Sequence, residues 1–200
     1  MTNWRHPFLW AAATIALAAC SSTPSGPPRN QADACAVLDQ REDWGPALRK
    51  VEQRWGAPPH VVMAIIQRES SFRSDARPPK KYMMLGMIPD GRVSSAFGYP
   101  QALDGTWAWY QEETGNGWAS RDDFEDAADF VGWYLAKTQS MNGLSKSDAF
   151  SQYLAYHEGH TGYRRGDWRQ KSWLTNVASA VANQAETYRG QLSRCGSRLA

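Results

Sequence analysis

The sequence contains no block of charge of either sign. Its 22 Lys and Arg are interspersed with 20 Asp and Glu for a net charge of +2, which excludes the concentrated basic stripe of a nucleic-acid-binding surface. No internal repeat is visible, and no segment reads convincingly as a strand, so neither a repeat architecture nor a sheet protein is expected. The apolar run Phe8 to Ala19, broken only by Thr14, is too short to span a bilayer as a helix. What remains, with 42% hydrophobic and 21% charged residues, suits one ordinary globular domain with additions at its start. Ten Trp and eight Tyr are many for 200 residues. A large aromatic core accounts for most of them, and exposed rings also suit sugar faces.

The additions are at the N-terminus. Arg5 and His6 precede the apolar run, and small residues lead into Cys20, the pattern of an export signal. Leu17-Ala18-Ala19-Cys20 resembles the lipobox of bacterial lipoproteins, in which the Cys is diacylated and becomes the new N-terminus. A plain secretory signal with a coincidental Cys is the other reading. Ser21, rather than Asp, follows the Cys, and by the resemblance this implies a lipid anchor in the outer membrane, on its periplasmic face. Residues 21–34, rich in Ser, Pro and Gly, read as a tether of about 20 Å average reach. The expected organisation is a signal over 1–19, a lipidated Cys and flexible linker over 20–34, and a folded domain over 35–200. Cys35 and Cys195 stand at the edges of that domain, and in an oxidising compartment they are expected to pair. The bridge would close a loop of about 160 residues, for which chain entropy sets an upper figure of roughly 5 kcal/mol.

From Cys35 onward the chain reads as helices. Trp44 to Trp55 carries Leu48, Val51 and Trp55 on one face. A helix opened by Pro58-Pro59 follows, and then a loop from Arg73 to Phe97 with room for a short hairpin. Further helices are expected over 100–114, from an N-cap at Ser120 into a segment with Phe124, Ala128, Val131 and Leu135 inward, over 147–157 with Gly159 ending it, and over 173–191. The Gly-containing stretch 160–166 reads as a loop.

In the helix that follows the prolines, Val62, Ile65 and Ile66 recur at helical spacing, and Glu69 follows them at i+7, i+4 and i+3. An acid is thereby placed on the face to be buried and near the negative end of the helix dipole. Both effects disfavour its charge and suit it to hold and donate a proton near neutral pH. An ordinary Glu paired with Arg68 or Arg73 is the plainer alternative.

Two other segments join it. Glu69-Ser70-Ser71-Phe72 resembles the Glu-Ser-x-Phe signature of the soluble lytic transglycosylase family. Ser95-Ala96-Phe97-Gly98-Tyr99-Pro100-Gln101, followed by Thr106-Trp107, resembles its second motif, and Ala155-Tyr156-His157-Glu158-Gly159 resembles its third, Ala-Tyr-Asn-Ala-Gly. The resemblance covers Val61 to Gly159 in the right order. It implies an all-α, lysozyme-like domain, here with a long loop insertion over 77–93. It also implies cleavage of the bond between N-acetylmuramic acid and N-acetylglucosamine in peptidoglycan, with no cofactor. Carried over, Glu69 is the acid and then the base, leaving a 1,6-anhydro end. Tyr156 points its hydroxyl at Glu69, Ser70 supports the site, and Ser95, Tyr99 and Gln101 line the groove. An intramolecular nucleophile needs no second carboxylate, and none stands at an obvious fixed spacing.

His157 and Glu158 depart from the motif. Glu158, in the groove segment, is a possible substrate contact or second carboxylate, which keeps a lysozyme-type hydrolase open. A non-catalytic peptidoglycan-binding lipoprotein is the reading from another class. A two-residue step turns about 200° around a helix, so Glu158 is expected to point away from Tyr156 and to pair with Arg164 or Arg165. His157 and His160, at i and i+3 around a helix-ending Gly, do not make the zinc spacing, and no metal is expected.

Overall fold

The computed structural model describes residues 1, 26–83 and 88–199, with the side chains of 83–90 left aside. The expected leader and Cys20 lie outside the described residues. Among the described residues, seven helices form the body: α1 (Ala34–Gln40), α2 (Trp44–Trp55), α3 (Pro59–Ser70), α4 (Asp104–Thr114), α5 (Phe124–Asn142), α6 (Ala149–Arg165) and α7 (Ser172–Cys195). Short 3-10 turns at Asp167–Gln170 and Gly196–Leu199 flank α7. Between α3 and α4, β1 (Lys80–Met83) and β2 (Ile88–Arg92) make one antiparallel hairpin with a bulge between Lys80 and Tyr82. The architecture is mainly α, as expected of a lysozyme-like domain. No helix among the described residues is long and apolar enough to cross a membrane.

Helix α3 is the axis of the fold. Its residues Val61 to Ile66 are all buried, and it packs against α2, α5 and α7. A helix that is apolar all round must be covered all round, and each Val or Ile so covered stabilises the fold by about 1.5–3 kcal/mol. Pro59 at the first turn pre-sets the backbone, and Ser71, in left-handed conformation, closes the other end by donating its N–H to the Gln67 carbonyl at 2.9 Å. Across the core, α2 and α5 approach closely because Gly132 has no side chain. A Cβ there would stand 2.4 Å from Cγ1 of Val51 and 2.9 Å from the Trp55 ring.

Several helix boundaries differ from the sequence reading. Helix α5 is capped by Asp123, whose carboxylate accepts from the Asp126 N–H at 3.0 Å, rather than by Ser120. Helix α4 begins at Asp104, because residues 99–102 form a turn closed by the Phe97–Ala102 bridge. Gly159 does not end α6. At φ 73° and ψ 158° it kinks the helix, which resumes and runs to Arg165. The resumed half is held from its first residue: His160 is buried, stacks on Tyr134 with centroids 4.3 Å apart, and lies 3.1 Å from the Thr138 hydroxyl.

The N-terminal edge differs too. Cys35 and Cys195 are bonded, with Cα atoms 6.0 Å apart, but the fold starts before Cys35. Pro28 is buried, Arg41 donates to the Gly26 carbonyl, and the Gln31 amide donates to the Ser71 carbonyl at 2.9 Å. Gln191 links Ala32 and Ala34 to α7 at 3.1 and 2.8 Å. The stretch 26–34, expected as the end of a flexible linker, is bound to the domain because its backbone groups find side-chain partners there.

Candidate active site

At the C-terminal end of α3, a cavity of about 330 Å³ opens between the turn after the hairpin, α4, α5 and α6. Glu69 lies in its wall together with Gln101, Thr106, Tyr134, Tyr156, His157 and Glu158. Four residues from the three separate sequence motifs, Glu69, Gln101, Tyr156 and Glu158, are therefore brought together.

The environment of Glu69 follows from its place on α3. Two residues in left-handed conformation, Ser71 and Phe72, turn the chain sharply after it, and Phe72 drives into the core against Trp44 with centroids 5.4 Å apart. This anchors the helix end and leaves Glu69 partly exposed to the cavity but walled by apolar groups. Burial is the main influence and raises the carboxyl to about 7; the Tyr153 hydroxyl and the Arg68 charge work in the opposite direction.

Tyr156 stands beside Glu69, but its hydroxyl donates to the Pro100 carbonyl at 2.6 Å rather than to the carboxylate. Burial, and then the Glu69 charge, push its pKa well above the usual phenol range. A second tyrosine, Tyr153, one turn earlier on the same face of α6, also bears on Glu69 and works to lower its pKa. It was missed in the sequence, although its i, i+3 spacing from Tyr156 marked it as a neighbour.

Gln101 is held in left-handed conformation at φ 49°. Its amide nitrogen donates to the carbonyls of Ala76 at 2.9 Å and Gly98 at 2.8 Å. Two carbonyl partners settle which end of the amide is nitrogen, so Oε1 is the end left for a ligand. The turn that presents it is tight: a Cβ on Gly98 would stand 2.0 Å from the Arg121 carbonyl.

Glu158 lines the same cavity in a different state. Its carboxylate, only 5% exposed, binds the Lys171 ammonium at 2.7 and 2.9 Å and His157 Nδ1 at 3.0 Å. Burial works against its charge, but Lys171 and then His157 outweigh that and hold its pKa below normal. The expected partners Arg164 and Arg165 are not used. Arg165 pairs with Asp167 instead, because the kink at Gly159 carries the second half of α6 off the first half's course.

Three expected groove residues are elsewhere. Ser70 is buried and donates back to the Ile66 carbonyl at 3.1 Å within its own helix. Ser95 Oγ accepts from the Asp104 N–H at 3.1 Å, fastening the start of α4. Tyr99 turns to the opposite side of the loop, edge-on to Trp44 and Phe124 at 5.7 and 5.6 Å. It lines a separate depression that also contains Arg41, Asp43 and Asp123. Residues adjacent in a tight turn cannot all face one way, and the turn that aims Gln101 inward sends Tyr99 out.

No relative is found among curated proteins. A family model described as the transglycosylase SLT domain matches residues 8–195. That span takes in every residue of the cavity wall, so the chain belongs to the transglycosylase SLT domain family and is a peptidoglycan lytic transglycosylase, a lyase acting on glycosidic bonds of the glycan strand.

Proposed function

We propose that Glu69 carries both proton transfers of the cleavage. As the neutral acid it protonates the oxygen of the β-1,4 bond between N-acetylmuramic acid and N-acetylglucosamine, and the C1–O bond breaks. The resulting carboxylate then takes the proton of the muramic acid C6 hydroxyl as that oxygen bonds to C1. A 1,6-anhydro ring closes, and Glu69 is again neutral. Gln101 Oε1 accepts from a substrate amide or hydroxyl, and Tyr156 shapes the wall beside the carboxylate.

The observation that carries this reading is the contrast between the two carboxylates of the cavity. Glu69, raised to about 7, is available in either protonation state near neutral pH. Glu158 is locked in its charged form by Lys171 and His157, which makes it a poor candidate to activate a water and favours the anhydro product over hydrolysis. Digestion of purified sacculi by the wild-type protein and by Glu69→Gln, followed by product masses, tests it. Anhydro ends from the first and none from the second are expected. Reducing ends from the wild type would overturn the reading.

The reading includes lipidation of Cys20 and residence on the periplasmic face of the outer membrane, supported by the run before Cys20 alone. With the chain docked on the domain from Gly26, five residues then separate lipid from protein, a reach of at most about 18 Å. Cys20→Ala should release the protein from membranes on fractionation.

A further inference from the structure

Beyond the catalytic end of the cavity, four side chains form a closed arrangement. Lys171 and Trp173 flank Ser172, the first residue of α7. Lys171 holds Glu158, Glu158 holds the His157 ring through Nδ1, and that ring meets the Trp173 indole edge to face, with centroids 5.2 Å apart. An ionised carboxylate only accepts, so Nδ1 of His157 carries the hydrogen, and in the neutral ring Nε2 is left as an acceptor. His157 lies in the wall of the Glu69 cavity, yet the indole it fixes is 54% exposed. A large ring positioned by its neighbours and still left in water loses the gain of burial until something covers it.

We propose that Trp173 and His157 form a sugar-ring subsite at the rim of the cleft, the indole covering the apolar face of a hexopyranose of the glycan strand and His157 Nε2 accepting from one of its hydroxyls. The proposal rests on the glycan-cleaving reading and extends it to a residue outside the three sequence motifs. Sugars fit this chemistry because their axial C–H faces are apolar while their edges carry hydroxyl donors. Trp118 serves as the contrast: it is 98% exposed but packs on no described ring, whereas Trp173 meets the His157 ring of the cavity wall.

The test uses the full chain with Glu69→Gln, so that ligand is bound and not cleaved, and a six-ring N-acetylglucosamine oligomer as the probe. With 15N-labelled tryptophans, the indole N–H of Trp173 should shift on titration and that of Trp118 should not. Trp173→Ala should weaken binding about tenfold, Trp173→Phe by about threefold or less, and Trp118→Ala not at all. In the active chain, Trp173→Ala should raise KM for peptide-free glycan strands to the same degree and leave kcat within about twofold. A loss of kcat at constant KM would make Trp173 structural and overturn the subsite. So would an unmoved Trp173 indole, a measurement that does not depend on any Trp173 variant folding. Binding is read without turnover, so the subsite can fail while Glu69 still yields anhydro products, and the catalytic reading can fail while the subsite stands.

Discussion

Glu69 and Glu158 line one cavity and live in opposite surroundings. The first has apolar walls, one phenol hydroxyl and an exposed arginine nearby, and its carboxyl is pushed up to about 7. The second has an ammonium and an imidazole in direct contact, and its pKa is held down. The same functional group is thus prepared for proton exchange at one end of the cleft and fixed as a permanent charge at the other. Burial works against the charge of both, and only at Glu158 do partners in direct contact outweigh it. The contrast also fits the separate work proposed for them: Glu69 for the chemistry, and Glu158, through its contacts, for holding His157 and the Lys171 that precedes α7.

The comparison breaks first on activity. Glu69→Gln should keep the fold and abolish cleavage by more than about 10⁴-fold, since in the proposed mechanism one group serves both proton transfers. Glu158→Gln should retain activity within about tenfold and release the same anhydro ends. Equal losses in the two variants, measured on sacculi, would erase the distinction.

Stability against pH sharpens it. The folded pKa of Glu69 is raised, so its contribution is fully present below about 4.5 and is lost as pH climbs to about 7. The loss amounts to roughly 3 kcal/mol at most. Glu69→Gln should therefore gain on the wild type by up to that amount between pH 4 and pH 8, in urea melts at a series of pH values. Glu158 runs the other way. Its pKa is lowered, so its contribution is present above 4.5 and is lost as pH falls through the folded value. The gap between wild type and Glu158→Gln should close in acid.

These carboxylates were not equally legible in the sequence. Glu69 could be placed because its spacing from Ile65 and Ile66 fixes a helix face, and the prolines before α3 fix where that helix starts. The helical body and the run of α7 were legible for similar local reasons, and the pairing of Cys35 with Cys195 because two cysteines stand at the edges of the domain in a chain read as exported. Glu158 was not, because its partner Lys171 lies thirteen residues on, past a glycine that normally stops a helix and here only bends it. Tyr99 and Ser95 were misplaced because a turn has no period from which a direction can be read. The choice between Tyr153 and Tyr156 depended on the Pro100 carbonyl, a contact across 56 residues. Residues 26–34 look like a linker in composition and are held by partners at the end of α1, on α7 and at the end of α3.

A smaller effect separates the two ends through Lys171. Lys171→Met leaves Glu158 buried with the His157 imidazole as its remaining side-chain contact, and breaking such a half-buried pair should cost about 1–3 kcal/mol at pH 7. The acid-side dependence attributed to Glu158 should shrink with it, while the Glu69-linked fall between pH 4.5 and 7 stays. A variant as stable as wild type in chemical denaturation at pH 7 would show that Lys171 does not sustain the charge on Glu158.

The smallest effect expected is on the position of a pH profile. The Tyr153 hydroxyl works to favour the charged form of the Glu69 carboxylate. Removing it with Tyr153→Phe takes that polar influence away and leaves the apolar wall, so burial acts with less opposition and the Glu69 pKa rises further. The loss of one polar partner corresponds to about half to one pH unit. Cleavage begins with the neutral acid, so kcat/KM of the wild type should be full below about 7 and fall above it. In Tyr153→Phe that falling limb should move to higher pH. The maximum itself should drop several-fold, because the carboxylate that must form in the transition state has lost a group that favours its charge. The variant would then be less active at pH 6 but retain a larger share of its own maximum at pH 8. Tyr156→Phe, whose hydroxyl goes to Pro100, should leave the limb where it is. A limb that moves with Tyr156 and not with Tyr153 would return the orienting role to the tyrosine of the sequence motif.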